Sequence, residues 1–115
     1  MRLQTVGQVL AERTLDLDAG GSKDTVTVLI GTPKRIPGCV DFYCPYQIRG
    51  LGDETVRYTE GVDAAQAIYL AMEAVGTALS QSKEARAGRL TWYGECALGF
   101  PVRAERPRLR LVASN

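Results

Sequence analysis

The sequence predicts an α+β fold in which an antiparallel sheet of about four to six strands is covered on one face by a single long helix, in the order β-β-β-β-α-β with a terminal strand after it in one reading. Three observations predict it. Apolar and polar residues alternate along several short stretches between residues 9 and 59, which is the period of half-buried strands. Clusters of glycine, proline and aspartate separate those stretches. From Ala64 to Leu79 the apolar spacing changes to three and four, which puts one stripe on one side of a helix.

In chain order, Val9, Ala11, Arg13, Leu15 and Leu17 fall on one face of a first strand, with Glu12, Thr14 and Asp16 on the other. Asp18 to Asp24 carries the glycines of a turn, and Val26, Val28 and Ile30 point inward from the second arm of a hairpin. Gly31 to Gly38 holds two prolines and two basic residues and reads as an exposed loop. Val40, Phe42, Cys44, Tyr46 and Ile48 then alternate with Asp41, Tyr43, Pro45, Gln47 and Arg49. Pro45 lacks a ladder donor, so it favours an edge, a bulge or a solvent-facing bond direction. After the turn at Gly50 to Asp53, Thr55 to Thr59 reads as a short strand with Val56 and Tyr58 inward and Arg57 outward.

The helix has the clearest local start. Asp63 is placed to cap it, Gln66 three residues on makes a variant capping box, and Val62 is spaced to contact Ala67 as a hydrophobic staple. Ala64, Ala67, Ile68, Ala71, Met72, Val75 and Leu79 form the apolar stripe, and Gly76 weakens it without ending it. The helix is expected to finish between Leu79 and Gly88, with Arg86 beside its last carbonyl groups. Leu90 and Trp92 follow in a strand-like pattern, and Arg108 to Val112 alternates as a terminal strand or a docked tail would.

With 115 residues, 45% hydrophobic and 23% charged, the chain is expected to make one globular domain over residues 1–115. A net charge of +1 gives no specific signal for nucleic acid, and no apolar run is long enough to span a membrane. The charge is uneven, because residues 86–115 hold six arginines against two glutamates. Three cysteines cannot all pair within one chain and no secretory segment opens the sequence, so the expected location is cytoplasmic.

Catalytic chemistry has little to draw on. There is no histidine, which removes the Ser-His-Asp and Cys-His arrangements and any histidine metal site. Cys39 and Cys44 are five apart and would point to opposite faces of a continuous strand, so no metal and no cofactor is expected. Cys44 or Cys96 could serve as a nucleophile only if a nearby cation lowered its pKa. Gly50-Leu51-Gly52 completes no phosphate-binding pattern, and Asp53 and Glu54 after it would repel phosphate. Those adjacent acids are better placed for ion pairs across a turn, with Arg49 and Arg57 on either side.

The segments Val9 to Leu15, Asp41 to Ile48, Gly50 to Glu54, Gly61 to Ala67, Gly88 to Trp92 and Gly99 to Pro101 together resemble a small, uncharacterised bacterial domain family of unknown function. The resemblance extends over nearly the whole chain and implies a soluble bacterial module, with no catalytic role assigned to any residue. The expected function is therefore a small non-catalytic binding or protein-interaction domain whose partner is another protein or a second copy. Its expected contact patch is Tyr43, Arg49 and Arg57, outward on the sheet face opposite the helix. The alternative is a small-molecule-binding domain or a cysteine-dependent enzyme, which requires an enclosed pocket at Cys44 or Cys96 with an acid or base beside it.

Overall fold

The computed structural model describes residues 1–103, so the alternation at Arg108 to Val112 lies outside the described residues. The elements are β1 (Val9–Asp18), β2 (Lys23–Gly31), β3 (Lys34–Arg35), β4 (Phe42–Arg49), β5 (Arg57–Gly61), α1 (Ala64–Ser80), α2 (Lys83–Arg86) and β6 (Leu90–Thr91). All strand pairs are antiparallel, in the order β3-β4-β2-β1-β6, with β5 also paired to β4. The fold is thus the expected antiparallel sheet packed against one long helix, with two short elements, β3 and α2, added to the expected order.

β1 and β2 form the hairpin that the alternation requires. Ala19 donates its N–H to the Ser22 carbonyl, and the Asp18 carboxylate accepts from the amides of Gly20 and Gly21, which closes the turn. Leu15, Leu17, Val26, Val28 and Ile30 are all buried on the α1 side. At the start of β1 a register shift lies between Val9, opposite Gly31, and Ala11, opposite Ile30. That irregularity breaks the expected alternation, and Val9 and Leu10 are left exposed.

β4 is paired along both sides, so of the three placements that Pro45 favours, the edge is not the one found. Tyr46 to Arg49 pair with Ile30 to Thr27 of β2, Phe42 and Tyr43 pair with β3, and Phe42 to Tyr46 pair with β5 on the opposite side. Between the β2 and β3 ladders, residues 44 and 45 have no strand partner on that side among the described residues. The proline therefore sits at a break in one ladder, an irregularity of the kind that tolerates a residue without a donor. The same arrangement corrects the reading of residues 31–38 as loop alone, since Lys34 and Arg35 extend the sheet along β4 beyond β2.

β5 starts two residues later than expected. The Asp53 carboxylate accepts from both the N–H and the hydroxyl of Thr55, holding Thr55 in the turn, and pairing begins at Arg57. The strand runs on to Gly61, where the chain passes close under the start of α1. A Cβ at Gly61 would stand 2.5 Å from the Ala67 nitrogen, so only glycine fits there.

Asp63 caps α1 as expected, accepting from the Gln66 amide at 2.8 Å. Gln66 reaches back, but to the N–H of Val62 rather than that of the cap residue, so the box is shifted by one position. The expected staple is absent: Val62 is 71% exposed, and Gly61 takes its place against Ala67. Ala67, Ala71, Val75 and Leu79 are fully buried, and Ile68 is packed against the same core. α1 ends at Ser80 and the Ser82 side chain caps a separate short helix, α2. Arg86 therefore closes α2 and not α1, which has no basic residue in its last turn.

α1 packs chiefly on β4 and β5. The remaining part of that face, over β1, is covered by the segment after β6. Trp92, Leu98 and Phe100 pack on the core, and the Arg13 guanidinium carbon lies 3.9 Å from the Trp92 ring centre and 4.7 Å from that of Phe100. Arg13 also donates to the Leu98 carbonyl. One arginine on β1 thus grips two aromatic rings and the backbone between them.

Candidate functional site

The sheet face away from α1 is where the contact patch was expected, and paired strand residues share a face, so the register places each member. Tyr43 pairs with Glu60 and Lys34, and Arg49 pairs with Thr27, all opposite to core residues such as Val28, Ile48 and Cys44. Tyr43 and Arg49 therefore lie on the outer face as expected. Arg57 does not. It pairs with Tyr46, a residue packed against the core, and two positions on, the Thr59 hydroxyl donates to the Ala67 carbonyl of α1. Arg57 lines a hollow of about 350 Å³ with Tyr46, Ile48 and the α1-side residues Ala78 and Ser82. Burial pushes the Tyr46 hydroxyl above its ordinary pKa, and the positive charge of Arg57 draws it part of the way back.

The physical reason for this correction is the phase of β5. With Thr55 held by Asp53, the strand takes the phase that brings Thr59 and Gly61 beneath the helix, and alternation then turns Tyr58 outward and Arg57 inward. Tyr58 pairs with Pro45 and meets Tyr43 edge to face, with ring centres 6.0 Å apart and planes at 76°. Its place in the outer patch was missed because Thr55 to Thr59 read as one regular strand. The signal was the Asp53-x-Thr55 spacing, which is that of a local turn.

The outer face thus carries Tyr43 and Tyr58 as a half-buried pair, Pro45 buried between strands, and Gln47 next to Arg49, whose Nε donates to the Gln47 side-chain oxygen at 3.1 Å. The N-terminal segment crosses part of this face. Val6 is buried, its carbonyl lies against the position a Cβ of Gly31 would take, and Thr32 donates to the Gln8 carbonyl. Val6 and Leu29 are both buried outside the main core cluster.

Among the described residues neither cysteine has the surroundings expected of a nucleophile. Cys44 is fully buried, its thiol donates to the Gly31 carbonyl, and burial pushes its pKa up to about 11. Cys96 is exposed beside a hollow of about 420 Å³ whose lining, among the described residues, includes Gly76, Ala85, Leu98 and Phe100 and no acid or base. Asp53 is spent on Thr55 and on Arg57, with an ion pair at 2.9 Å. Glu54 accepts from the Gly50 amide and does not join it at a common cavity. Hydrogen bonds from Thr55, and then Arg57, hold the Asp53 carboxyl at about 2. Among the described residues no three histidine, cysteine, aspartate or glutamate side chains stand close enough to share a metal ion. No described helix is long and apolar enough to cross a membrane.

Neither a curated protein nor a solved structure matches the chain. A family model described as "Domain of unknown function (DUF6968)" matches residues 11–102, a span that runs from β1 through Phe100 and Pro101 and so includes both the outer face and the segment gripped by Arg13. By that match the chain belongs to the DUF6968 family, the small, uncharacterised bacterial domain family that its residues resemble.

Proposed function

We propose that the domain is a non-catalytic protein-interaction module that binds through the sheet face opposite α1, with Tyr43, Tyr58 and Arg49 as its anchors. The observation that carries this reading is the edge-to-face pair of Tyr43 and Tyr58 on the solvent side of the sheet. Paired rings fixed on adjacent strands offer apolar area at little further loss of side-chain freedom, and a neighbouring guanidinium adds directed donors. Rigid strands position such anchors better than a loop does.

The test compares proteins recovered with the native chain, with a Tyr43→Ala/Arg49→Ala variant and with Arg57→Ala, which alters the other face. Folding is checked by chemical denaturation. The reading expects an association lost in the double variant and kept in Arg57→Ala. Equal recovery from the native chain and the folded double variant would contradict it.

A further inference from the structure

The hollow of about 350 Å³ on the α1 side of the sheet plays no part in the outer contact face, and its size is at the lower end of the range of small-molecule clefts. It lies where the start of β5 and the turn before it meet the C-terminal end of α1. Tyr46, Ile48 and Leu51 are half-buried against the core and give it an apolar wall. Asp53, Thr55 and Arg57 are exposed and give it a polar edge. Apolar area beside a few fixed polar groups is the combination that holds and orients a small ligand.

The polar edge is arranged in advance. One Asp53 oxygen accepts from the N–H and the hydroxyl of Thr55 at 3.0 and 2.6 Å, and the other accepts from Arg57 Nη2 at 2.9 Å. The turn thus fixes the carboxylate, and the carboxylate fixes the guanidinium. A guanidinium has five N–H donors, of which Asp53 takes one. Tyr46 shares the face of Arg57, since the two are paired, and the charge of Arg57 acts on its phenol, so the hydroxyl adds a donor within electrostatic reach. With Asp53 already accepting three hydrogen bonds, donors outnumber acceptors at this edge. The missing complement is a group that brings acceptors and negative charge.

We propose that this hollow binds a small organic carboxylate, whose charged end accepts from Arg57 and Tyr46 and whose apolar body lies against Ile48 and Leu51. A planar guanidinium matches a carboxylate with two parallel hydrogen bonds, and such charge-assisted bonds are stronger than neutral ones. The apolar wall selects an acid with a hydrocarbon body over a bare inorganic anion. This site and the Tyr43, Tyr58 and Arg49 face lie on opposite sides of the sheet, so each stands or falls without the other.

An amide-resolved NMR titration of the full chain with benzoate tests it, with benzamide as the uncharged analogue and acetate as the analogue without a ring, all at constant ionic strength. Benzoate is expected to shift the amides of residues 51–57 and 78–82 saturably, with half-saturation on the order of 1 mM. It should bind about tenfold more tightly than either analogue. Arg57→Gln should abolish the advantage of benzoate over benzamide. Tyr46→Phe, which keeps the ring on the core, should weaken benzoate about fivefold and gives a second reading should the first variant fold poorly. Shifts that stay linear in benzoate, or that centre elsewhere on the chain, would overturn the proposal. So would equal binding of benzoate and either analogue, or full benzoate affinity in either folded variant.

Discussion

Gly76 shows how a residue's role is set by a neighbour far along the chain. In an isolated helix Gly→Ala stabilises by about 1 kcal/mol, yet here the added methyl would strike the Pro101 carbonyl and the Phe100 Cβ. Overpacking of this kind costs about 1–3 kcal/mol, so Gly76→Ala is expected to lower the unfolding free energy measured in urea, against the propensity scale. The sequence shows a glycine inside a helical stripe but not the segment that crosses it. Asp63 is the opposite case, because cap and partner are three residues apart and the signal is local. Asp63→Ala should cost about 1 kcal/mol by the same measurement. For the cysteines, Cys39 and Cys96 are exposed while Cys44 is buried with its pKa raised from 9.0 to about 11. A disulfide reagent at neutral pH should therefore titrate two thiols in the folded protein and the third only on unfolding. Rapid reaction of all three would contradict the placement of Cys44.

Among the elements, the turn before β5 and the segment after β6 decide what the faces carry. Asp53 titrates at about 2 in the folded protein against an ordinary 3.8, so its contribution is present above pH 3.8 and lost as the pH falls through about 2. Asp53→Asn is expected to flatten the acid side of the stability profile over that window, and an unchanged acid slope would remove Asp53 from the account. The alternation of β1, β2 and β4 was legible because each strand has one face on the core. The phase of β5 was not, since a five-residue strand offers too few side chains to fix it and Thr55 is drawn into the turn. The covering segment was equally hidden, because Trp92, Leu98 and Phe100 follow no single period and meet only around Arg13. Arg13→Ala should loosen that cover, lowering stability by about 1–2 kcal/mol and shifting Trp92 fluorescence toward that of a solvated indole.

Across the whole molecule, the sheet has two differently used sides. One is closed by α1 and by the segment that Arg13 holds, and it accounts for the main core from Leu15 to Leu90. The other carries the buried Val6, Leu29 and Pro45, and it presents the two tyrosines and Arg49. The fold class could be read from period two together with the helical stripe of Ala64 to Leu79, and the outward positions of Tyr43 and Arg49 from period two alone, whereas the exchange of Arg57 for Tyr58 depended on the turn that sets β5. The claim that the outer face is the binding side is tested most directly by site-specific photo-crosslinking, with p-benzoylphenylalanine replacing Tyr43 in one chain and Arg57 in another, each irradiated with the same partner extract. A discrete adduct from position 43 with none from position 57 is the predicted result. An adduct from position 57 with none from position 43 would contradict it.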